Sequence, residues 1–298
     1  MEWMFDYAPH IGYYPIDKPL FEQSVGSPDL VRHVEYAASA GFHAILYPWA
    51  SSRPPEERAA VANALRIQNM RCSCLVYTTF ENHLLPLWTD ASPSGRARLK
   101  NEIEAAMKDA QQLGSSHIAV ILKSAENEPL GPQMHAVTAN LLEAADLASR
   151  NGMLLAVEPM LALPNMLLQS FAEGVDLVTR LGHPSVKLIY DTGHVMSMGE
   201  DPLQALKSAF EHICLIQLAD MPGRVEPGAG QIDFAAILAY ARQQEYFGLI
   251  DLEFYWSEPS RDGEQAGLQR LRDIESRAAI IAAASDGTAV SLAGQSVP

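Results

Sequence analysis

A chain of 298 residues that is 48% hydrophobic can bury a large core, and at a net charge of −15 it offers no cluster of Lys and Arg for nucleic-acid phosphates. No run approaches the roughly 18 apolar residues that span a bilayer, and the opening Met-Glu-Trp-Met-Phe-Asp has no basic stretch ahead of an apolar one, so neither a membrane partner nor a signal peptide is expected and a cytoplasmic location is. The three cysteines, Cys72, Cys74 and Cys214, lie in core-like runs and read as reduced, buried thiols.

The first stretch, as far as residue 19, is dense in aromatic and turn residues, with a strand expected over 4–11. Residues 28–41 read as a helix. Ser27 is placed as its N-cap, Leu30, Val31, Val34, Ala37 and Ala38 form the apolar stripe, and Gly41 ends it. A second strand over 43–47 leads into Pro48-Trp49. The helix expected over 54–69 carries Glu56 and Glu57 in its first turn, where they complement the helix dipole. A third strand over 71–77 precedes 78–93, a connection long enough to be a lid or binding loop. A helix over 93–114, a fourth strand over 116–122 and a helix over 132–151, closed by Gly152, complete the first half.

Four apolar runs of strand type follow, and each stops at an oxygen donor. Met153-Leu-Leu-Ala-Val ends in Glu158, Lys187-Leu-Ile-Tyr in Asp191, His212-Ile-Cys-Leu-Ile in Gln217 and Gly248-Leu-Ile-Asp-Leu in Glu253. The spacing is 33 residues from 158 to 191, 26 from 191 to 217 and 36 from 217 to 253, one strand–helix–strand unit each. Helices are expected over 168–181, 202–210, 234–244 and 264–284, with Asp233 capping the third. Eight alternations of strand and helix imply a mostly parallel sheet and favour closure into an α/β fold, the (β/α)8 TIM barrel, over residues 1–285. Residues 286–298 are expected to form a frayed polar tail. A doubly wound open sheet is the competitor. It would show a Gly-rich phosphate turn after the first strand, and His10-Ile-Gly-Tyr-Tyr is not one.

In a barrel, Glu158, Asp191, Gln217 and Glu253 stand at the carboxyl ends of successive strands, the face where barrel sites form. Three carboxylates converging in a partly dry mouth repel one another, which a divalent cation or shifted pKa values relieve. Oxygen-only donors suit Mn²⁺ or Mg²⁺, with Co²⁺ as a substitute. One acidic residue at a strand end is commonly a helix cap or a turn former; four in consecutive units argue for a shared site. His194 falls at the same mouth, as does Arg224 in the Pro- and Gly-rich stretch 220–233. An Arg held there can fork onto a carboxylate or a polarised oxygen. Glu226 is a candidate to orient Arg224 or the loop itself, or to bind substrate. Trp49, Tyr47, His10, Trp88 and Trp256 could wall a small polar substrate or pack the rim, and Trp49 is the one taken forward. Glu81, His83 and Lys123 read as solvated loop positions.

The segment Gln217-Leu-Ala-Asp-Met-Pro-Gly-Arg-Val-Glu-Pro-Gly-Ala-Gly-Gln-Ile-Asp resembles the hydroxypyruvate isomerase branch of the sugar isomerase/epimerase superfamily. Val-Glu158-Pro, Tyr-Asp191-Thr-Gly-His194 and Leu-Glu253-Phe fit in order and spacing, and the resemblance runs over residues 8–284. The chain also looks like ketose 3-epimerases and inosose dehydratases; Asp191-Thr-Gly-His194 followed by Gly199-Glu-Asp-Pro202 is closer to the dehydratase pattern. The resemblance implies a xylose-isomerase-like TIM barrel with Glu158, Asp191, Gln217 and Glu253 as metal ligands. It further implies Glu158 and Glu253 as an acid–base pair on opposite sides of the substrate, and His194 and Arg224 on substrate oxygens. The chain departs from those patterns in three places. Ketose 3-epimerases usually carry His in place of Gln217, and the Met-Leu-Ala-Leu-Pro after Pro159 and the Val-Met after His194 make the mouth more apolar.

The expected activity is a divalent-metal-dependent isomerase or epimerase of a small ketose or hydroxy-keto acid, passing through a metal-stabilised enediolate, with self-association into a homo-oligomer left open. A metal-dependent dehydratase, an endonuclease-IV-like nuclease and a non-catalytic barrel are the alternatives. The nuclease would need more histidine ligands and a basic face.

Overall fold

The computed structural model describes residues 3–161 and 163–285; the expected tail, 286–298, lies outside them. Nine strand segments pair in parallel: β1 (Asp6–Pro9), β2 (Ala44–Ile45), β3 (Arg71–Cys72), β4 (Cys74–Val76), β5 (His117–Val120), β6 (Leu154–Val157), β7 (Val186–Asp191), β8 (Ile213–Leu218) and β9 (Leu249–Leu252). Strands β4 to β9 follow chain order and β1 joins β9, with Asp6 opposite Leu249. Strand β2 pairs with β3, and Ser73 N donates to Ile45 O at 2.8 Å. Segments β3 and β4 are therefore two halves of one strand, which passes the pairing from β2 on to β5. Leu46 N donates to Pro9 O and Ile11 N to Leu46 O, each at 3.0 Å, which closes β1 onto β2. Eight strand positions thus form the ring that the alternation predicts, and a closed ring exposes no sheet edge.

Strands of such a barrel are covered on both faces, and all four residues of β9 are buried. That is why these strands read as unbroken apolar runs. The helices are α1 (Glu22–Val25), α2 (Leu30–Ser39), α3 (Pro55–Gln68), α4 (Pro93–Leu113), α5 (Leu130–Arg150), α6 (Phe171–Leu181), α7 (Thr192–Ser197), α8 (Pro202–Ala209), α9 (Phe234–Gln243) and α10 (Arg261–Ser285). Val34, Val61, Ile103, Leu141, Leu177, Leu238 and Ala278 carry their apolar stripes into the core. Among the described residues no helix is long and apolar enough to cross a membrane. The three thiols are free; Cys72 and Cys74 are buried and Cys214 is half-buried.

Caps set the helix boundaries. Ser92 accepts from Gly95 N at 3.0 Å to open α4, and Gly114 at φ +73° closes it. Asp233 caps α9, as predicted, accepting from Ala236 N at 3.2 Å. Ser27 does not cap α2. Asp29 does, accepting from Val31 N at 3.0 Å, while the Ser27 hydroxyl accepts from Asp29 N at 3.2 Å. Two capping-competent residues flank Pro28, and the carboxylate next to the first helical residue wins. The segment 78–93 contains two short 3₁₀ turns, Asn82–Leu84 and Leu87–Thr89. Trp88 is fully buried, and its carbonyl accepts from Asn140 Nδ2 at 2.9 Å.

Candidate active site

Glu158 directly follows β6, Asp191 ends β7, Gln217 lies near the end of β8 and Glu253 follows β9. All four are 2–6% exposed. Asp191 does two jobs. Its Oδ1 accepts from His194 N at 2.7 Å, which starts α7, so the common helix-cap reading of a strand-end acid holds here. Both its oxygens also receive the Arg224 fork, from Nη1 at 3.1 Å and Nη2 at 2.8 Å. Arg224 Nη2 donates in addition to Glu253 Oε1 at 3.2 Å. The guanidinium lies over the Tyr13 ring, 5.4 Å from its centroid. Gly193 makes the approach feasible, because a Cβ there would sit 3.1 Å from Arg224 Nη1.

The loop that presents Arg224 is pinned at two points. Asp220, fully buried, accepts from the amides of Met221 (2.8 Å), Gly228 (2.9 Å), Gly230 (2.7 Å) and Ile232 (3.0 Å). A Cβ at Gly230 would fall 2.4 Å from the Asp220 carboxylate, so that position requires glycine. Glu226 accepts from Ser257 N and Ser257 Oγ, both at 2.7 Å, and pairs with Arg270. It anchors the loop, one of the roles expected of it, and does not line the cavity described next. Arg224 itself sits at φ +54°, a backbone setting rare outside glycine and held here by these anchors.

A cavity of about 170 Å³ opens over the strand ends. Glu158, His194, Gln217 and Glu253 line it from the ends of β6 to β9, Val76, Ala119 and Ile121 from β4 and β5, and Met160 and Leu163 from the chain just after Glu158, with Trp49 and His83 among the aromatic residues. Trp49 therefore is at the cavity. Tyr47 bonds Glu57, Trp256 bonds Leu20 O and His10 bonds Phe254 O, so these three hold the rim together. Lys123 is buried against Pro164 O, and His83, read as a solvated loop position, is a buried wall residue.

Burial and mutual repulsion set the charge state. Burial, then Glu253 and Asp191, push the Glu158 carboxyl well above the usual carboxylate range. Burial pushes Glu253 up to about 8 against the pull of Arg224. Burial also acts on Asp191, but Arg224 and His194 outweigh it and hold that carboxyl low. Burial lowers the His194 imidazole to about 4 although Asp191 opposes the shift. Arg224 thus favours the charged form of Asp191 while burial favours the neutral forms of Glu158 and Glu253, a divergence of environments of the kind acid–base chemistry uses.

The donors fit a divalent cation. Glu158 Oε1, His194 Nε2 and Gln217 Oε1 are buried with no hydrogen-bond partner among the described residues. One ligand atom from each of Glu158, Asp191 and His194 lies within 4.8 Å of the other two. His194, expected on the substrate, therefore stands inside the ligand cluster. Sequence reasoning missed Tyr13 and Asp251. Tyr13 lines the cavity beside Glu253; Asp251 is fully buried opposite Gln217 and accepts from its Nε2 at 3.2 Å.

The family model of the xylose isomerase-like TIM barrel matches residues 34–274. The chain is 23% identical to the hydroxypyruvate isomerase of Escherichia coli over 238 residues, covering 77% of this chain and 89% of that one. Among solved structures, an L-ribulose 3-epimerase superposes with a TM-score of 0.75 at 18% identity, over 98% of this chain and all of that one (100%). The IolI protein, solved with a bound zinc atom, superposes at 0.64 with 17% identity, over 89% and 95% of the two chains. These two structural likenesses are likenesses of fold.

Proposed function

The chain belongs to the xylose isomerase-like TIM barrel family, and from that premise we propose that it is a divalent-metal-dependent isomerase or epimerase of small α-hydroxy carbonyl compounds. One observation carries the reading: two buried glutamates with raised pKa values, Glu158 and Glu253, line one cavity with the unpartnered polar atoms Glu158 Oε1, His194 Nε2 and Gln217 Oε1. Kinship to hydroxypyruvate isomerases and likeness in fold to ketose epimerases agree with it.

Glu158, Asp191, Gln217 and Glu253 would hold the ion, with His194 beside them. Bound there, it supplies a fixed positive charge that acidifies the C–H next to a carbonyl. Glu158 and Glu253 are the proton carriers. A carboxyl raised above its ordinary range, as burial raises both, holds a proton more readily and is a better base once ionised. Return by the same glutamate to the adjacent carbon isomerises the substrate; return by the other glutamate, from the opposite face, epimerises it. Arg224 holds Asp191 and Glu253 in place from behind the cavity, His194 faces a substrate oxygen beside the ion, Trp49 walls the cavity, and the barrel acts as one unit.

The cavity lining includes no Lys or Arg among the described residues, and Arg224 is committed to two carboxylates. An uncharged hydroxy-ketone therefore fits better than a hydroxy-keto acid, whose carboxylate would meet acids.

The test is solvent deuterium exchange, followed by NMR with added Mn²⁺, into a panel of small ketoses. Glu158→Gln and Glu253→Gln should each slow exchange by at least 10²-fold, the range of a lost general acid–base, with the fold retained. Exchange at the parent rate in either variant would remove that glutamate from the mechanism. A mass loss of one water in the product would instead mark a dehydratase.

A further inference from the structure

We propose that Asp251 is a positioning residue that fixes the Gln217 side-chain amide so that its carbonyl oxygen, not its nitrogen, faces the mouth of the site. The inference rests on Gln217 being a metal ligand, as read above.

Asp251 precedes Glu253 by two residues on β9, so the pleat sends both side chains to the same face. It lies below Glu253 inside the barrel, with Cys72, Ser73 and Cys74 around it. It is fully buried, and its Oδ1 has no partner among the described residues. A carboxyl held so deep with so few donors is costly. The fold gives no reason for it, since an apolar side chain would suit this layer better.

The Ser73 side chain lies beside it and favours its charge, and across the sheet it meets Gln217. Parallel pairing sets Gln217 opposite Asp251, and Gln217 Nε2 donates to Asp251 Oδ2 at 3.2 Å. The opposite end of the same amide, Oε1, is buried and unpartnered. An amide has one donor end and one acceptor end, and the Asp251 oxygen that faces it, Oδ2, accepts from the donor end. Asp251 therefore selects the rotamer with NH₂ pointing down and oxygen pointing up. Only the oxygen end can ligate a cation. A glutamine free to flip would present its NH₂ to the ion part of the time.

The test is Mn²⁺ titration by calorimetry, with urea unfolding of the chelator-stripped proteins, for Asp251→Asn, Gln217→Ala and the double variant. Asn at 251 can pair with the Gln217 amide in either sense, so the selection is lost. Affinity should fall 10- to 100-fold in Asp251→Asn, the usual effect of losing a support of a metal ligand. It should fall no further when Asp251→Asn is added to Gln217→Ala, and the unfolding midpoint of Asp251→Asn should not drop. Should Asp251→Asn misfold, Asp251→Ser makes the same comparison.

Parent affinity in Asp251→Asn beside a loss in Gln217→Ala overturns the positioning role and leaves the ligand reading standing. Parent affinity in Gln217→Ala ends the ligand reading, and this inference with it. Additive losses in the double variant mean that Asp251 acts on the ion by its own charge, which also overturns the proposal.

Discussion

Glu253 answers to two opposing demands. Burial pushes its carboxyl up to about 8, which suits the proton exchange proposed for it, while Arg224 beside it favours its charge. The consequence for stability has a definite sign. A carboxyl whose folded pKa exceeds its unfolded value stabilises the fold fully below the unfolded pKa, and that contribution is lost as pH rises through the folded pKa. Asp251, raised to about 7 chiefly by burial, acts in the same direction. His10 and His194, lowered to about 4 by burial, act oppositely, but only as pH falls below the ordinary histidine value of 6.5. Between pH 6.5 and 8.5 the carboxyls dominate. Chelator-stripped protein should therefore lose roughly 2 kcal/mol of unfolding free energy over that window from Glu253 alone, seen as a falling urea midpoint. Glu253→Gln should flatten the fall; a midpoint that climbs with pH would contradict the charge assignment. At this scale the four strand-end donors were legible because each terminates an apolar run. Asp251 was not: it lies within such a run, and only the barrel shows which neighbour it faces. His194 was legible as a mouth residue but not as a neighbour of Glu158, because the turn of α7 that carries it hides in Asp-Thr-Gly-His as an ordinary helix start.

Elements were legible where a cap or a proline marks them, and obscure where tertiary bonds decide. Helix α4 declared itself by Ser92, Pro93 and Gly114. The division of the third strand at Ser73 left no local signal, since it arises from a strand changing partners between β2 and β5. The loop between β8 and α9 is the more instructive case. Its Pro and Gly content announced an irregular segment, yet one buried carboxylate, Asp220, organises it through four backbone amides. Asp220→Asn would turn one acceptor oxygen into a donor facing those amides. Leaving one or two buried donors unpaired costs about 2–4 kcal/mol, and the cost should fall on this loop. Hydrogen exchange over 221–232 should accelerate, and turnover should drop because Arg224 loses its fixed approach to Asp191. Parent-like exchange there, with turnover intact, would show that Glu226 and Ser257 suffice to hold the loop.

The whole molecule divides its mouth between two arcs of the barrel. Strands β6 to β9 supply the carboxylates, the amide and, through α7, the imidazole; β4 and β5 supply Val76, Ala119 and Ile121, with Met160 and Leu163 closing over them. The rhythm of eight units was legible in the chain, and so was part of the second arc, in the apolar residues after Pro159. What the sequence hid is that these residues line one cavity with the acids. Under the proposed activity, a substrate seated there would keep its hydroxy-carbonyl end on the polar arc and send the rest of its carbons against aliphatic surface. Each buried CH₂ gains about 0.8 kcal/mol, whereas a pocket of this kind discriminates by up to about 10²-fold against a hydroxyl it cannot bond. With Mn²⁺ added, 1-hydroxypentan-2-one should therefore exchange deuterium at C1 with a kcat/KM about tenfold or more above that of a five-carbon ketose bearing hydroxyls on every carbon but the carbonyl. Val76→Thr should narrow the gap by giving one such hydroxyl a partner. A preference for the polyol would show instead that ordered water or Trp49 Nε1, buried and unpartnered, dresses the aliphatic wall for hydroxyls, and the two-arc account of selectivity would fail while the proton-transfer chemistry stood.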